Sequence, residues 1–201
     1  MPLETAFRSE ETFTQEEFRA WLDALPSSDI NHYELIRGRI VMSPPAGWPH
    51  GGVGGSLVYM LTAHVRSGGL GIVLDSSAGY DMPSGDTLEP DVSFVSHARF
   101  AAGPKPVHGQ FLRIVPDFVV EILSPSSVSR DRVEKAEIYA QNGVDEYWIV
   151  DSKRREITVL HREGSVFGAP SVVRDGAIPS RVFPELHATV ADVFADFSED
   201  D

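Results

Sequence analysis

The sequence contains no cysteine. Disulfides, thiolate-bound zinc, iron–sulfur clusters and a thiol nucleophile are thereby excluded, and any metal must be held by oxygen or imidazole. Long apolar runs are also missing. No stretch approaches the roughly 18 residues needed to span a membrane, and the opening Met1-Pro2-Leu3-Glu4-Thr5 lacks the basic and apolar regions of a signal peptide. These two absences lead to the expectation of a cytoplasmic protein with no membrane partner. Positive charge is scarce as well: 17 Lys and Arg stand against 30 Asp and Glu, a formal net charge of -13. Such a balance argues against a protein that coats nucleic acid, because phosphate binding relies on Lys and Arg. The deficit is concentrated at the ends, with 7 acids and 2 bases in residues 1–30 and 6 acids and no Lys or Arg in residues 185–201. The middle is nearly balanced and holds two basic groups, one at Arg130, Arg132 and Lys135 and one at Lys153, Arg154 and Arg155.

Two common catalytic signatures are absent. Ser124 and Ser126 lack a Gly-x-Ser-x-Gly elbow and read as a turn before a helix. The run Gly51-Gly52-Val53-Gly54-Gly55 lacks the Gly-Lys-Ser/Thr ending of a phosphate loop, so close helix packing is the more economical explanation.

What is present fits one soluble domain: 201 residues, 42% hydrophobic. Thr14 with Glu17 three residues on, and Phe18, Trp21 and Leu22 at helical spacing, predicts a capped amphipathic helix within an N-terminal segment 1–30. Tyr33 to Met42 reads as two short strands about a tight turn at Arg37-Gly38. Val53, Leu57, Met60 and Leu61 predict a helix over about 50–64. Strands follow at 71–74, around Asp91 and at 116–123. Asp131-Arg132-Val133-Glu134 offers a capping box for a crossover helix ending at Asn142 before Gly143, and two further strands lie at 146–151 and 155–161. The order predicts a mixed α/β (α+β) sheet within a core of residues 31–184, then an acidic segment 185–201.

Two segments carry the chemistry. Glu89-Pro90-Asp91-Val92-Ser93-Phe94-Val95 and Pro116-Asp117-Phe118-Val119-Val120-Glu121-Ile122-Leu123 each set an acid among β-forming apolar residues. Glu121 is mid-strand, where an ionised carboxylate is costly to bury without a partner. A hard divalent cation bound by Asp91 and Glu121 would neutralise both; alternatively, Glu121 pairs with an Arg or Lys and Asp91 ends a turn. Spacing alone leaves both readings open.

The ordered series Tyr33-Glu34-Leu35-Ile36 with Gly38, His50, Glu89-Pro90-Asp91-Val92, Pro116-Asp117 to Val120-Glu121-Ile122-Leu123-Ser124-Pro125-Ser126, Lys135, Tyr139, Gly143-Val144 and Glu146-Tyr147-Trp148-Ile149-Val150-Asp151 resembles the Uma family of restriction-endonuclease-like proteins. That family is assigned to the PD-(D/E)XK nuclease superfamily, and the resemblance covers roughly residues 12–190. It implies a restriction-endonuclease-like core with flanking helices and extra N- and C-terminal strands. It also implies phosphodiester hydrolysis with Mg²⁺, or Mn²⁺ in its place, on Asp91 and Glu121; nucleic acid, DNA foremost, as substrate; and a two-fold homodimer. The lysine that the superfamily carries two residues after the second acid is Leu123 here. Lys135 on the following helix is the nearest substitute, with Tyr139 at i+4 on the same face. Glu34 and His50 are accessory candidates. Because of Leu123 and the acidic balance, an inactive nuclease-fold binding protein is the alternative expectation.

Overall fold

A computed structural model gives the fold and describes residues 7–124, 127–195 and 197. Pro125 and Ser126 lie outside the described residues, as does most of the acidic end after Ala195. The chain opens with β1 (Phe7–Arg8), α1 (Gln15–Asp23), the hairpin β2 (His32–Ile36) and β3 (Arg39–Ser43), and the long helix α2 (His50–Gly68). Strands β4 (Gly71–Asp75), β5 (Tyr80–Asp81), β6 (Thr87–Leu88) and β7 (Val92–Ser96) come next, then α3 (His97–Ala102) and β8 (Phe118–Ile122). A π-helical turn, Arg130–Lys135, runs directly into α4 (Ala136–Asn142). Strands β9 (Glu146–Asp151), β10 (Glu156–Glu163), β11 (Val166–Phe167) and β12 (Ser171–Val173) and the short α5 (Val190–Val193) complete the order.

Two sheets result. The smaller has the order β1-β3-β2-β6-β5, and the larger β11-β10-β9-β8-β7-β4 with β12 also paired to β10. All named strand pairs are antiparallel except β8 with β9, which are parallel and joined by the π turn and α4. Parallel neighbours need such a crossover, since no tight turn can reverse the chain twice. Every residue of β8 is buried, in keeping with its nearly unbroken apolar run. One face of the sheet packs against α2 through Val53, Leu57, Leu61 and Val65, spaced four apart along the helix. The other face carries Val119, Tyr147 and Ile149 against Ile138 and Tyr139 of α4 and against Ile36, Val41 and Leu88 of the smaller sheet. The two sheets thus share one core face.

Local sequence accounts for most boundaries. The hairpin turns through Arg37 (φ 51°) and Gly38 (φ 75°), the left-handed pair that a two-residue hairpin loop requires. Gly52 lets the Phe197 ring approach α2 to within 2.5 Å of where a Cβ would stand. Close packing therefore accounts for Gly52, whereas Gly51 and Gly55 meet nothing within 4 Å among the described residues.

The predicted start of the crossover helix is corrected. Asp131 does not cap it: the helical backbone is already established at Val128–Ser129, and Asp131 N donates to Ser127 O within that run. The Asp131 side chain is buried instead of reaching back to a free helix end. The predicted α2 also runs further, to Gly68, where Gly69 (φ 59°) ends it.

The Thr14 and Glu17 capping box is formed as predicted, each side chain bonding the other's backbone N–H. Thr14→Ala removes one half of this exchange at a surface position. Chemical denaturation should show a loss of about 1 kcal/mol with the slope against denaturant unchanged.

Candidate active site

Asp91 and Glu121 come together through sheet register. The pair Val92↔Val120 is the end of the β7–β8 ladder, and one step beyond it sets Asp91 beside Glu121. Asp91 Oδ2 accepts from Ile122 N at 2.7 Å, so the backbone of β8 orients the first acid while its side chain supplies the second. His50, at the first turn of α2, places Nε2 3.3 Å from the same Asp91 oxygen. Burial disfavours charge on His50, but the Asp91 carboxylate outweighs it and raises the imidazole pKa above its ordinary value.

Lys135 ends the π turn with its side chain only 3% exposed. Its Nζ lies 2.8 Å from Glu121 Oε1 and 2.8 Å from Glu34 Oε1. Tyr139, four residues on, donates its hydroxyl to the same Glu121 oxygen at 2.6 Å. Glu34 Oε1 also accepts from Glu89 N at 2.9 Å, which fixes the β2 carboxylate to the segment before β7. Lys135 Nζ donates a hydrogen bond to Glu121 and forms an ion pair with Glu34, with Asp131 further off at 3.9 Å, so the ammonium keeps a proton free of close partners among the described residues. Leu123 packs into the apolar cluster beneath α4. The strand therefore spends that position on the core, and the ammonium arrives from the helix.

Asp131 was foreseen only as a helix cap, yet it is 2% exposed with Oδ1 3.9 Å from Lys135 Nζ and, among the described residues, without a hydrogen bond on that oxygen. Its spacing of four from Lys135 was the available signal. The π turn had none, and its wider winding belongs to the turn that carries Asp131 and Lys135 into the interior. Such turns recur at functional sites. Arg130, Glu89 and His32 were also missed as neighbours. Several of the predicted bases are already engaged: Arg130 donates to Ser43 Oγ, Arg132 lies 3.9 Å from Asp151, and Arg155 donates to the carbonyls of Phe194 and Phe197. The first predicted basic group is thereby drawn into the protein's own contacts.

These residues line a cavity of about 480 Å³. Five carboxylates border it, from Glu34, Glu89, Asp91, Glu121 and Asp131, against two permanent cations, Arg130 and Lys135. Burial pushes the Glu121 carboxyl well above the usual carboxylate range against the opposing pull of Lys135, and Asp131, Asp91 and Glu34 add to the push. Burial opposes charge on Lys135, but Glu121, Glu34 and Asp131 prevail and hold it as an ammonium. Burial, with the nearby acids, keeps Tyr139 a neutral donor. Glu121 Oε1 is thus held by two fixed donors, while Glu121 Oε2 and Asp91 Oδ1 accept no hydrogen bond among the described residues.

That donor set fits a hard cation of the Mg²⁺ type, which takes one or two carboxylates and retains water. It does not fit a cage made by protein alone: among the described residues no three acidic or histidine side chains are disposed to hold a metal.

The sequence matches the Uma2 family, described as "Putative restriction endonuclease", over residues 15–191. The chain belongs to the Uma2 family. None of the curated proteins matches. Among solved structures it is similar to a "putative nuclease belonging to DUF820" from Anabaena variabilis, at 21% identity and a TM-score of 0.75 over 91% of this chain and 98% of that one. At that identity the likeness concerns the fold, and it agrees with the predicted restriction-endonuclease-like core of the Uma2 protein. Among the described residues no helix is long and apolar enough to cross a membrane.

Two measurements probe this site as a structure. Lys135→Met leaves Glu34 and Glu121 buried without their cation and should lower stability by about 3–5 kcal/mol in urea titration; Glu134→Gln, on the exposed side of the same turn, should change little. His32 beside Glu89 should titrate above the ordinary histidine range, because the hydrogen bond that its ring donates to the Glu89 carboxylate outweighs partial burial. Its folded pKa being raised, the stabilisation is complete below about pH 6.5 and disappears as pH rises through the folded value. Glu89→Gln should return the His32 resonance in a proton NMR titration to the ordinary range.

Proposed function

We propose that this Uma2 protein is a metal-dependent nuclease that hydrolyses phosphodiester bonds of nucleic acid, DNA in the first instance. One observation carries the reading: the ammonium missing from the strand at Leu123 is supplied by Lys135, 2.8 Å from Glu121, in a cavity whose carboxylates outnumber its cations. Asp91 Oδ1 and Glu121 Oε2 are the groups that would hold Mg²⁺, with Mn²⁺ as substitute. The cation would supply charge for the scissile phosphate and a bound water made more acidic than bulk water.

The protein's own groups then have separate tasks. Ile122 N and His50 fix the rotamer of Asp91, so one oxygen remains free for a ligand. Tyr139 and Lys135 do the same for Glu121. Keeping Lys135 protonated fits it to donate its remaining proton toward the attacking water or toward charge developing on the phosphate. Glu34 shares the ammonium and fixes its height between the two sheets. A phosphodiester needs no further nucleophile from the chain, consistent with a site built of carboxylates and donors.

Mg²⁺ titration by calorimetry, combined with cleavage of labelled single-stranded and duplex DNA, tests this. The native protein should bind Mg²⁺ and cut; Asp91→Ala should lose the binding heat, and Glu121→Ala should lose cleavage by at least about 100-fold. Binding heat without cleavage of any nucleic acid would favour the inactive nuclease-fold protein. Cleavage that persists in Glu121→Ala would place the chemistry elsewhere.

A further inference from the structure

The wall of the cavity between Ser43 and His50 is a Pro- and Gly-rich segment in which Pro44, Pro45, Ala46 and Gly47 all face the cavity, as does His50. Trp48 lies between the last two and is 68% exposed. Trp is a costly residue to leave in water: its large apolar surface is usually covered on average even where it is not fully buried. The other two tryptophans follow that habit. Trp148 is fully buried, and Trp21 packs between Phe18 and Tyr33. Among the described residues Trp48 meets one aromatic ring, that of Phe197, at 5.1 Å and tilted by 50°, and 68% of the residue stays exposed. Phe7 and Tyr59 are exposed as well, but neither is in a segment that lines the cavity.

Electrostatics supply the second observation. A protein that grips a duplex does so by neutralising a row of phosphates with Lys and Arg. The cavity offers only Arg130 and Lys135 as permanent cations, with side chains 12% and 3% exposed and already bonded to Ser43, Glu34 and Glu121. Attraction for the backbone is therefore weak, and affinity must come from another source. A base face stacked on an aromatic ring is such a source, is indifferent to base identity, and requires a base that is not paired and stacked within a duplex.

We propose that Trp48 is the stacking platform for an unpaired base next to the phosphate that enters the cavity, so that the substrate is a single strand or a junction with unpaired nucleotides rather than continuous duplex. This rests on the nuclease reading for what happens to the phosphate, but the stacking itself does not need cleavage to be observed. Phe197 backs the indole on one side, and the other side receives the base. His50 and Asp91 lie two residues and one cavity wall away, which brings the base and its phosphate to the same rim.

The test uses the full chain with Ca²⁺ in place of Mg²⁺ and a labelled ten-nucleotide deoxythymidylate strand, followed by anisotropy and by tryptophan emission. A ten-base-pair duplex serves as comparison. The native protein should bind the single strand more tightly than the duplex, with quenching of emission. Trp48→Ala should weaken single-strand binding by roughly 5- to 100-fold, leave duplex binding unchanged and abolish the quenching, whereas Trp48→Phe should restore most of the affinity. Trp48 is exposed, so an unchanged thermal midpoint is expected for both variants. Equal affinity of native protein and Trp48→Ala for the strand, or tighter binding of the duplex by native protein, overturns the proposal. Cleavage that requires Asp91 but is indifferent to Trp48 overturns stacking and leaves the nuclease reading standing. Trp48-dependent binding with no cleavage of any substrate does the reverse.

Discussion

A single buried ammonium joins the parts of this protein that matter. Lys135 lies between Glu34 of the smaller sheet and Glu121 of the larger one, at 2.8 Å from each. Neither acid has another cation at that distance among the described residues, and burial makes an unpaired carboxylate expensive. The contact therefore ties the two sheets together, alongside the apolar cluster they share, and gives both acids a cation. The π-helical segment between β8 and α4 carries both Asp131 and Lys135 on its buried side.

Structure and chemistry place opposing demands on this cluster. For stability alone, a buried ion pair is often no better than well-packed apolar residues. Here the carboxylates exceed the cations around the cavity, and among the described residues Asp131 Oδ1 has no hydrogen bond. A fold selected only for stability has no need of such an arrangement, and strongly perturbed acids in a cleft are characteristic of functional sites. The buried acid Glu146 makes the contrast. It accepts from Trp148 Nε1 and from the backbone of Arg181 and Val182, so its oxygens are consumed in pinning the C-terminal segment to β9. Glu146 is a fastener, whereas Asp91 and Glu121 each keep an oxygen in reserve.

Much of the fold was legible in the sequence because its signals are local. The Thr14 capping box, the left-handed turn at Arg37-Gly38, the four-residue spacing of Val53, Leu57, Leu61 and Val65 and the stop at Gly143 each depend on neighbours in the chain. The order of acids and lysine was legible through the family resemblance, and Tyr139 on the face of Lys135 through helical spacing; that both reach one Glu121 oxygen was not. What could not be read was winding and depth. A π turn and an α turn share the same hydrophobic pattern over six residues, so Asp131 passed for a helix cap. The role of Leu123 was equally hidden, because whether a side chain at that position meets the cavity or the core depends on where α4 settles on the sheet.

The ammonium that closes the site has a consequence for how the protein comes into being. Glu34, Asp91, Glu121 and Lys135 are drawn from four separate stretches of chain, and Lys135 reaches Glu34 only when the hairpin near the start and the crossover near the middle have docked on the same core face. Contacts of such long sequence separation form late, after the entropy of closing the intervening loops has been met. A chain still emerging during synthesis, or one opened by local unfolding, thus holds scattered acids and no assembled cavity. The cavity with its paired ammonium and carboxylates is therefore a property of the docked fold and of no single segment.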